Sequence, residues 1–298
     1  MSRHTLKRKV LKLNIKDQIG ASAFLIPSIC GFLVFFLVPF LWGFYYTVVD
    51  SPINGNFVGL DNFKGLMSNS IFLRAASNTA LFTAISVPLN MLLSLLLALA
   101  LNKVSRSGSI LRTLFISPLV VPVASVAFFW QLVFDFRGPL NSFLNLLGIG
   151  SVDWMKTGWA RVVVVIIYLW KNMGFNIVIY LAALSNIPGD YYEAAGIDGA
   201  GRMQKFRHIT LVYLIPTLFF VFITSIINSF KVFREVYLIS GDYPDDSIYM
   251  LQHYMNNMFA SLDYQKLTSA SYIMAAVVFI LVFVLFIVQK KISSRLTQ

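Results

Sequence analysis

The sequence predicts an all-α integral membrane protein with six transmembrane helices, and three observations support this fold class. Hydrophobic residues make up 57% of the 298 positions and charged residues only 12%, whereas a soluble domain carries about 25% charged residues. Several apolar segments reach the roughly 20 residues that a helix needs to cross a bilayer. Basic residues are concentrated in alternating connections between these segments, which is typical of proteins that cross a membrane repeatedly.

Six apolar segments define the predicted spans. They cover residues 19–47, 79–102, 110–134, 161–184, 210–230 and 268–289. Prolines lie within or beside several of them, which membrane helices tolerate when neighbouring groups satisfy the freed carbonyls. The first segment is longer than the apolar core of a cleavable signal peptide, which has about 7–15 residues, so we expect it to be retained. The predicted organisation is a basic segment at 1–17, a membrane domain at 18–290 and a tail at 291–298.

The distribution of charge predicts the orientation of these spans. Fifteen of the 24 Lys and Arg residues lie in the two terminal segments and in the second and fourth connections, and eight lie in the other connections. Because basic residues are enriched on the cytoplasmic side of membrane proteins, both termini are expected in the cytoplasm. We therefore attribute the net charge of +11 to membrane topology and not to nucleic-acid binding.

The sequence contains no pattern that indicates catalysis or a metal site. It lacks the G-x-x-x-x-G-K-[ST] pattern of a nucleotide-binding P-loop. Its three histidines are scattered, and its single cysteine, Cys30, cannot form an intramolecular disulfide. An acidic group in the last outward connection, formed by Asp242, Asp245 and Asp246, is interpreted as a solvated loop in preference to a cation site.

The third connection contains an apolar pattern at roughly helical spacing between Gly138 and Trp154. This pattern indicates either an interfacial helix on the outer face or a loop that caps the bundle.

The fourth connection, at 187–209, contains turn-forming and small residues. Pro188 disfavours continuation of the preceding helix. Asp190 is placed to cap a new short helix, with Glu193 three residues later completing a capping box. Alanines between Glu193 and Gly199 offer a low surface for close packing, and Gly199 allows a sharp bend. We predict a short helix on the cytoplasmic face that is suited to docking against another protein.

The same connection resembles the EAA loop of ABC importer permeases. The pattern of that loop is Glu-Ala-Ala, two residues, Asp-Gly-Ala, and then Phe, Ile, Leu-Pro and a further Pro. It is matched by Glu193, Ala194, Ala195, Asp198, Gly199, Ala200, Phe206, Ile209, Leu211 and Pro216. Val212 stands where the family often has Pro, which affects only the start of the next helix. The resemblance implies the fold of a type I ABC importer permease.

The resemblance also implies a mechanism and partners. In that family the loop forms a coupling helix that sits in a groove of the ATPase subunit. By resemblance, Glu193 contacts the ATPase and Gly199 joins two helical pieces within the ATPase-coupling site at 193–200. The implied partners are a second homologous permease, two ATPase subunits that bind ATP and Mg²⁺, and an extracytoplasmic solute-binding protein. The implied location is a bacterial-type cytoplasmic membrane, with no cofactor bound by this chain itself.

Further segments resemble one membrane subunit of carbohydrate importers of the maltose and glycerol-3-phosphate type. They are Leu25-Ile26-Pro27 with Pro39, residues 57–63, Asn78-Thr79, Trp130, residues 138–141 and Trp154. The similarity extends over about residues 20–290. Residues 240–244 depart from the Gly-Gly-Pro turn of many relatives, in the connection where a binding protein would dock. The resemblance implies a saccharide or related polar solute without identifying it.

Lys171 is the charged residue that lies within a predicted span. It is about 13 residues from the cytoplasmic end of the fourth span, hence ~20 Å deep at 1.5 Å per residue. A charge at that depth costs ~2.5–3.5 kcal/mol unless it is paired or hydrated. Lys171 either lines the solute path together with Trp170 and Asn176, or is hydrated near the outer mouth or paired with an acid of a neighbouring span or subunit.

Other polar side chains are candidates for the same path. They are Asn90, Asn228, Lys231 and Tyr237, whose amide, ammonium and aromatic groups suit sugar recognition. Asn is equally an ordinary hydrogen-bonding residue between membrane helices.

Two rival functions remain open from the sequence. An ion-coupled secondary transporter, working without an ATPase, needs coupling carboxylates within spans, and none is expected well inside the six segments. A membrane-embedded enzyme needs a polar catalytic cluster, and none is apparent in the sequence.

Overall fold

The computed structural model describes residues 15–102 and 108–296, with side-chain surroundings for 24–102 and 113–292. The helices are α1 Ile15–Phe32, α2 Val38–Thr47, α3 Asp61–Met67, α4 Ser70–Asn102, α5 Gly108–Val120, α6 Val123–Val133, α7 Pro139–Leu146, α8 Ala160–Ser185, α9 Gly189–Ile197, α10 Arg202–Lys205, α11 Leu211–Lys231, α12 Phe233–Ser240, α13 Leu251–Ala260 and α14 Tyr264–Leu296. Two π-helical turns, Leu33–Leu37 and Phe206–Thr210, join α1 to α2 and α10 to α11. Within these residues the only β pairing is an isolated bridge between Val49 and Phe57. The predicted all-α class is confirmed.

Five helical units in the described part of the chain are long and apolar enough to cross a membrane. They are Phe24–Thr47, Ser70–Asn102, Ala160–Ser185, Arg202–Ser240 and Tyr264–Ile292. The third predicted span is different, because Thr113–Val120 and Val123–Val133 meet at an angle of 104°. Pro122 lies at this break with extended backbone angles and has no N–H to continue the helical hydrogen bonding. The predicted count of six is reached when the bent pair is one broken span.

The core lies among α4, α8 and α11. Its fully buried apolar side chains include Ala98 from α4, Ile177 and Tyr180 from α8, and Leu214 and Val221 from α11. Helix α5 packs closely on α8, since a Cβ built on Gly174 would be only 1.7 Å from the carbonyl oxygen of Phe115. This close approach explains a glycine in the middle of a membrane helix.

The fifth span extends well beyond its predicted end at residue 230. Helix α11 ends at Lys231, Val232 forms a one-residue break, and α12 continues the unit to Ser240. Consequently Arg234 and Glu235, which the hydropathy pattern assigns to the outward connection, lie on a helix. The side chain of Glu235 is buried. The expectation that no carboxylate lies within the helical spans is therefore wrong at this position, since hydropathy does not detect a charge whose partner is on another helix.

The segment between α6 and α8 is organised by one buried amide. Asn141, in α7, donates to the carbonyl oxygens of Phe136 and Val152 and accepts hydrogen bonds from the backbone N–H of Val152 and the indole of Trp154. Of the two interpretations left open for this connection, the structure has the helix. Its side chains Phe143 and Leu146 are exposed, whereas Leu140 packs against the buried residues Phe134, Val163 and Ile167.

The acidic group in the last outward connection is occupied by internal contacts. Asp246 forms an ion pair with Arg74 of α4, the Asp245 side chain accepts from the backbone N–H of Ser247, and Asp242 accepts from Asn256 of α13. No group of three or more potential metal ligands is found among the described residues.

The predicted terminal segments lie largely outside the description. Residues 1–14 and 297–298 are beyond the described residues, while the predicted tail at 291–298 continues α14 as far as Leu296. The placement of both termini in the cytoplasm stays a prediction.

Candidate functional site

The predicted docking helix is α9, which begins directly after the fourth span. Pro188 is the residue before the first turn, so the helix starts at Gly189, two residues earlier than the capping prediction required. Asp190 consequently lies inside the first turn and makes no side-chain cap hydrogen bond. The predicted capping box of Asp190 and Glu193 is wrong, because the fixed backbone angle of proline sets the helix start. Asp190 remains at the helix end where an acidic side chain is favourable.

The residues of the EAA-like motif are accessible. Glu193, Ala194, Asp198 and Gly199 are exposed, while Ala195 and Ala200 are half-buried. The apolar side chain of Ile197 is 90% exposed. A short helix with no buried residue and an exposed apolar side chain at its end is a surface that another protein can cover.

The turn after α9 depends on Gly199, whose φ angle is +77°. Its N–H donates to Gly196, and the N–H of Ala200 donates to Ala195, at 3.1 and 2.8 Å. These bonds satisfy carbonyls at the helix end by the usual glycine-terminated arrangement. No heavy atom of this chain lies within 4 Å of a Cβ built on Gly199. The chain therefore needs glycine here for its positive φ angle and not for its small size.

Three contacts attach α9 to the beginning of the fifth span. Lys205 donates to the backbone oxygen of Tyr192 at 2.8 Å. The hydroxyl groups of Tyr192 and Thr210 are 2.9 Å apart. The rings of Tyr191 and Tyr213 lie 5.5 Å apart. These contacts join two adjacent residues of α9 to three positions near the start of the helical unit Arg202–Ser240.

A second candidate site lies where α5, α8, α11 and α12 meet. The Lys171 ammonium forms an ion pair with the Glu235 carboxylate, joining α8 to α12. The side chains of these residues are 20% and 3% exposed, respectively. Of the two interpretations of Lys171, the structure shows the pairing with an acid of a neighbouring span. Lys171 also lies beside a cavity.

This cavity, of about 130 Å³, is lined by side chains of α5, α8, α11 and α12. We call it the charged cavity. Its polar and charged lining residues are Tyr168, Lys171, Asn172, Asn228, Lys231, Arg234 and Glu235. Leu119 contributes from the last turn of α5, next to the break of the third span. The cavity therefore lies between two interrupted spans, α5 with α6 and α11 with α12, and the middle of the continuous helix α8.

Three of the candidate path residues line the charged cavity and four do not. Lys171, Asn228 and Lys231 line it. Trp170 packs against the rings of Phe129 and Trp130. Asn176 is buried and donates to the hydroxyl oxygen of Ser225 at 3.1 Å, which is the interhelical role of an ordinary membrane asparagine.

Tyr237 and Asn90 also lie elsewhere. Tyr237 is half-buried and contacts the ring of Phe233 in its own helix, while Asn90 is fully buried in α4.

Among the charged residues of this site, two were not candidates from the sequence, Glu235 and Arg234; the polar residues Tyr168 and Asn172 of α8 were not candidates either. The two charged residues lie in a stretch where charged residues interrupt the apolar run, so they were assigned to a connection. The available signal was helical spacing, because Asn228, Lys231 and Glu235 follow one another at intervals of three and four residues.

The bundle of long apolar helices, with an exposed helix attached to one interrupted span and a charged cavity beside that same span, defines a multi-pass membrane protein of the transporter class. The chain belongs to the family described as binding-protein-dependent transport system inner membrane component, whose model matches residues 90–298. It is thus a membrane component of an ABC importer. This membership removes the rival interpretations as an ion-coupled transporter or a membrane enzyme.

Curated relatives cover most of the chain. A probable ABC transporter permease, YesP of Bacillus subtilis, is 33% identical over 76% of this chain and 74% of its own length. The trehalose/maltose permease MalF of Thermococcus litoralis is 32% identical over 78% and 81%. The lactose permease LacF of Rhizobium radiobacter is 30% identical over 96% of both chains.

A solved structure has the same fold. A chain of a bacterial ABC transporter involved in the import of the acidic polysaccharide alginate superposes with a TM-score of 0.83 at 25% identity, over 94% of this chain and 98% of that one. A second structure of the alginate transporter, in complex with its pentasaccharide-bound periplasmic protein, gives a TM-score of 0.81 at 24% identity.

Proposed function

We propose that this chain is the saccharide-conducting permease subunit of an importer driven by separate ATPase subunits. The observation that carries the proposal is that one helical unit, Arg202–Ser240, runs from the exposed helix α9 to the charged cavity. The exposed helix α9 is attached to the start of Arg202–Ser240 by Lys205 and Thr210. The other end of that unit carries Lys231 and Glu235, which line the charged cavity. Motion at the exposed helix therefore reaches the cavity through a single element.

The mechanism follows from this connection. An ATPase subunit covers α9, with Ile197 as the apolar contact and Glu193 as a polar one. Closure of the two ATPases, which bind ATP and Mg²⁺, displaces α9 and the corresponding helix of the second permease. The π-helical turn Phe206–Thr210 lies among the attachment points, directly after Lys205 and including Thr210, and such turns occur where helices change conformation or carry a function. ATP and Mg²⁺ are assigned to the partner subunits because this sequence lacks a P-loop.

The proposed partners and solute class rest on the relatives. Relatives of this chain are named as trehalose/maltose and lactose permeases, and the structural match belongs to an importer of an acidic polysaccharide that binds a periplasmic protein. A saccharide is the solute class that these proteins share. We assign to this chain, as partners, a second homologous permease, two ATPases and an extracytoplasmic binding protein. We place both termini in the cytoplasm, as the charge distribution indicates.

The proposal is tested by reconstitution of the complete complex into proteoliposomes with its binding protein. We expect uptake of an oligosaccharide that requires ATP. Replacing Ile197 with Glu places a charge in the ATPase contact and is expected to abolish uptake while the chain still inserts. The matched control is Ile149→Glu, since Ile149 is also exposed but lies in the connection after α7. Full uptake by the Ile197 variant would refute the docking role of α9.

A further inference from the structure

The charged cavity carries an excess of positive charge. Its lining includes three cations, Lys171, Lys231 and Arg234, and one anion, Glu235. The ion pair with Glu235 neutralises Lys171. Lys231 and Arg234 form no salt bridge among the described residues and are both exposed. Two unpaired cations therefore remain on adjacent turns at the edge of a cavity.

A second feature of the cavity indicates that its ligand also carries hydroxyl groups. The Oε1 atom of Glu235 is engaged by Lys171. The Oε2 atom is buried and has no hydrogen-bond partner. A buried acceptor without a partner is costly, and a ligand hydroxyl that donates to Oε2 would remove this cost. Asn228, one turn before Lys231, supplies a further amide at the cavity.

The positions of these groups suit the binding of one charged group and its adjacent ring. The two cations follow Asn228 near the break at Val232, so they approach the cavity from α11 and α12. The cavity volume of about 130 Å³ is smaller than that of sites which enclose a whole small ligand, about 300–1,000 Å³. This chain alone therefore holds only a part of the solute.

We propose that the charged cavity selects an anionic, hydroxyl-bearing solute, namely a saccharide with a carboxylate or phosphate group. Lys231 and Arg234 bind the anionic group, with the guanidinium donating paired hydrogen bonds. The carboxylate of Glu235 accepts from a neighbouring hydroxyl group and keeps Lys171 neutralised. This inference rests on the proposed function, because it names the solute class of the path already assigned to this cavity.

The test compares uptake of three probes by the reconstituted complex with its binding protein. The probes are trigalacturonate as the carboxylate, glucose 6-phosphate as the phosphate, and maltotriose as the neutral saccharide. The variants are Lys231→Gln, Arg234→Gln and the double substitution. Arg234→Lys retains the charge but loses the paired geometry. Lys156→Gln is the matched control, since Lys156 is an exposed lysine outside the cavity. Chain recovery and basal ATPase activity verify that each variant assembles.

We expect one anionic probe to be transported in preference to maltotriose. Each single substitution should raise the KM for that probe about tenfold or more, as expected for the loss of a hydrogen bond to a charged group. The double substitution should raise it further, while Arg234→Lys should recover part of the loss. Preference for trigalacturonate or for glucose 6-phosphate identifies which anionic group is recognised.

Other outcomes separate the two proposals. Efficient maltotriose uptake that is unchanged in the double variant overturns the anionic selectivity and leaves the importer function intact. Equal loss of uptake for all probes in the variants also overturns it, and assigns the two cations to the lipid interface or to assembly. Absence of any ATP-dependent uptake, with all subunits assembled, contradicts the proposed function itself.

Discussion

The ion pair between Lys171 and Glu235 yields the most quantitative prediction. Removing one partner of a buried ion pair costs about 3–5 kcal/mol, because the remaining charge is left without compensation. Lys171→Met leaves a carboxylate that is only 3% exposed, so we expect the full loss in free energy of unfolding. Glu235→Gln leaves an ammonium that is 20% exposed and lies beside the charged cavity. Hydration reduces its cost to roughly half. The double variant, with neither charge, should recover most of the stability.

The assay is a double-mutant cycle measured by denaturant unfolding of the purified chain in detergent micelles. Because the two single losses add to more than the small loss left in the double variant, we expect a coupling energy of about 4–6 kcal/mol, whereas independent sites add within about 0.5 kcal/mol. The exposed pair of Asp61 and Lys64, 2.9 Å apart, is the matched control, and its coupling should be below about 1 kcal/mol. Additive effects of the two substitutions at Lys171 and Glu235 would refute this reasoning. Substrate-stimulated turnover of the Lys171→Met complex should also change.

Three further predictions concern single positions. Gly199→Leu should abolish uptake without preventing insertion of the chain. Gly199→Ala should weaken uptake, because a positive φ costs a residue with a Cβ about 1–2 kcal/mol. Gly199→Asn should retain more uptake activity than Gly199→Ala. Gly174→Ala should lower the recovery of folded chain, since its Cβ would meet the Phe115 carbonyl at 1.7 Å. Burial lowers the pKa of His253 to about 4. The contribution of neutral His253 to the free energy of unfolding should therefore be fully present above pH 6.5. The free energy of unfolding should fall by about 3 kcal/mol as the pH decreases from 6.5 to 4.

Each of these predictions has its own measurement and control. Uptake by the three Gly199 variants separates backbone conformation from packing, because equal loss in the Asn and Ala variants would indicate a close contact with a partner. Gly65→Ala, where a Cβ would meet nothing within 4 Å, is the control for Gly174. For His253, melting curves across the pH range should lose their slope between pH 4 and 6.5 in a His253→Gln variant. An unchanged slope would assign the acid sensitivity to other groups.

The sequence predicted the parts of this fold that depend on local composition. Long apolar runs located the spans, and turn-forming residues around Pro188 and Gly199 located α9. The break of the third span was not predicted. Its apolar run continues through Pro122, and proline within a membrane segment is compatible with a straight, a kinked or a broken helix. Only packing against α8 and α12 selects the broken form.

The charged cavity was only partly predictable for a related reason. Lys171 was identified because an isolated charge within an apolar run is costly. Glu235 was missed because hydropathy treats each segment alone, and the partner that makes its burial favourable is 64 residues earlier in the chain. The contact of Asn176 with Ser225 was not predictable, because an amide that contacts solute and one that binds a neighbouring helix have the same sequence signature.

The measurement that tests the central claim most directly is affinity purification of this chain from its native membrane in mild detergent, with identification of the co-eluting proteins by mass spectrometry. We expect recovery of a second permease of the same family and a P-loop ATPase. We also expect the Ile197→Glu substitution to release the ATPase while the second permease is retained. Recovery of the intact, monodisperse chain alone would contradict the account, as would retention of the ATPase by the Ile197 variant.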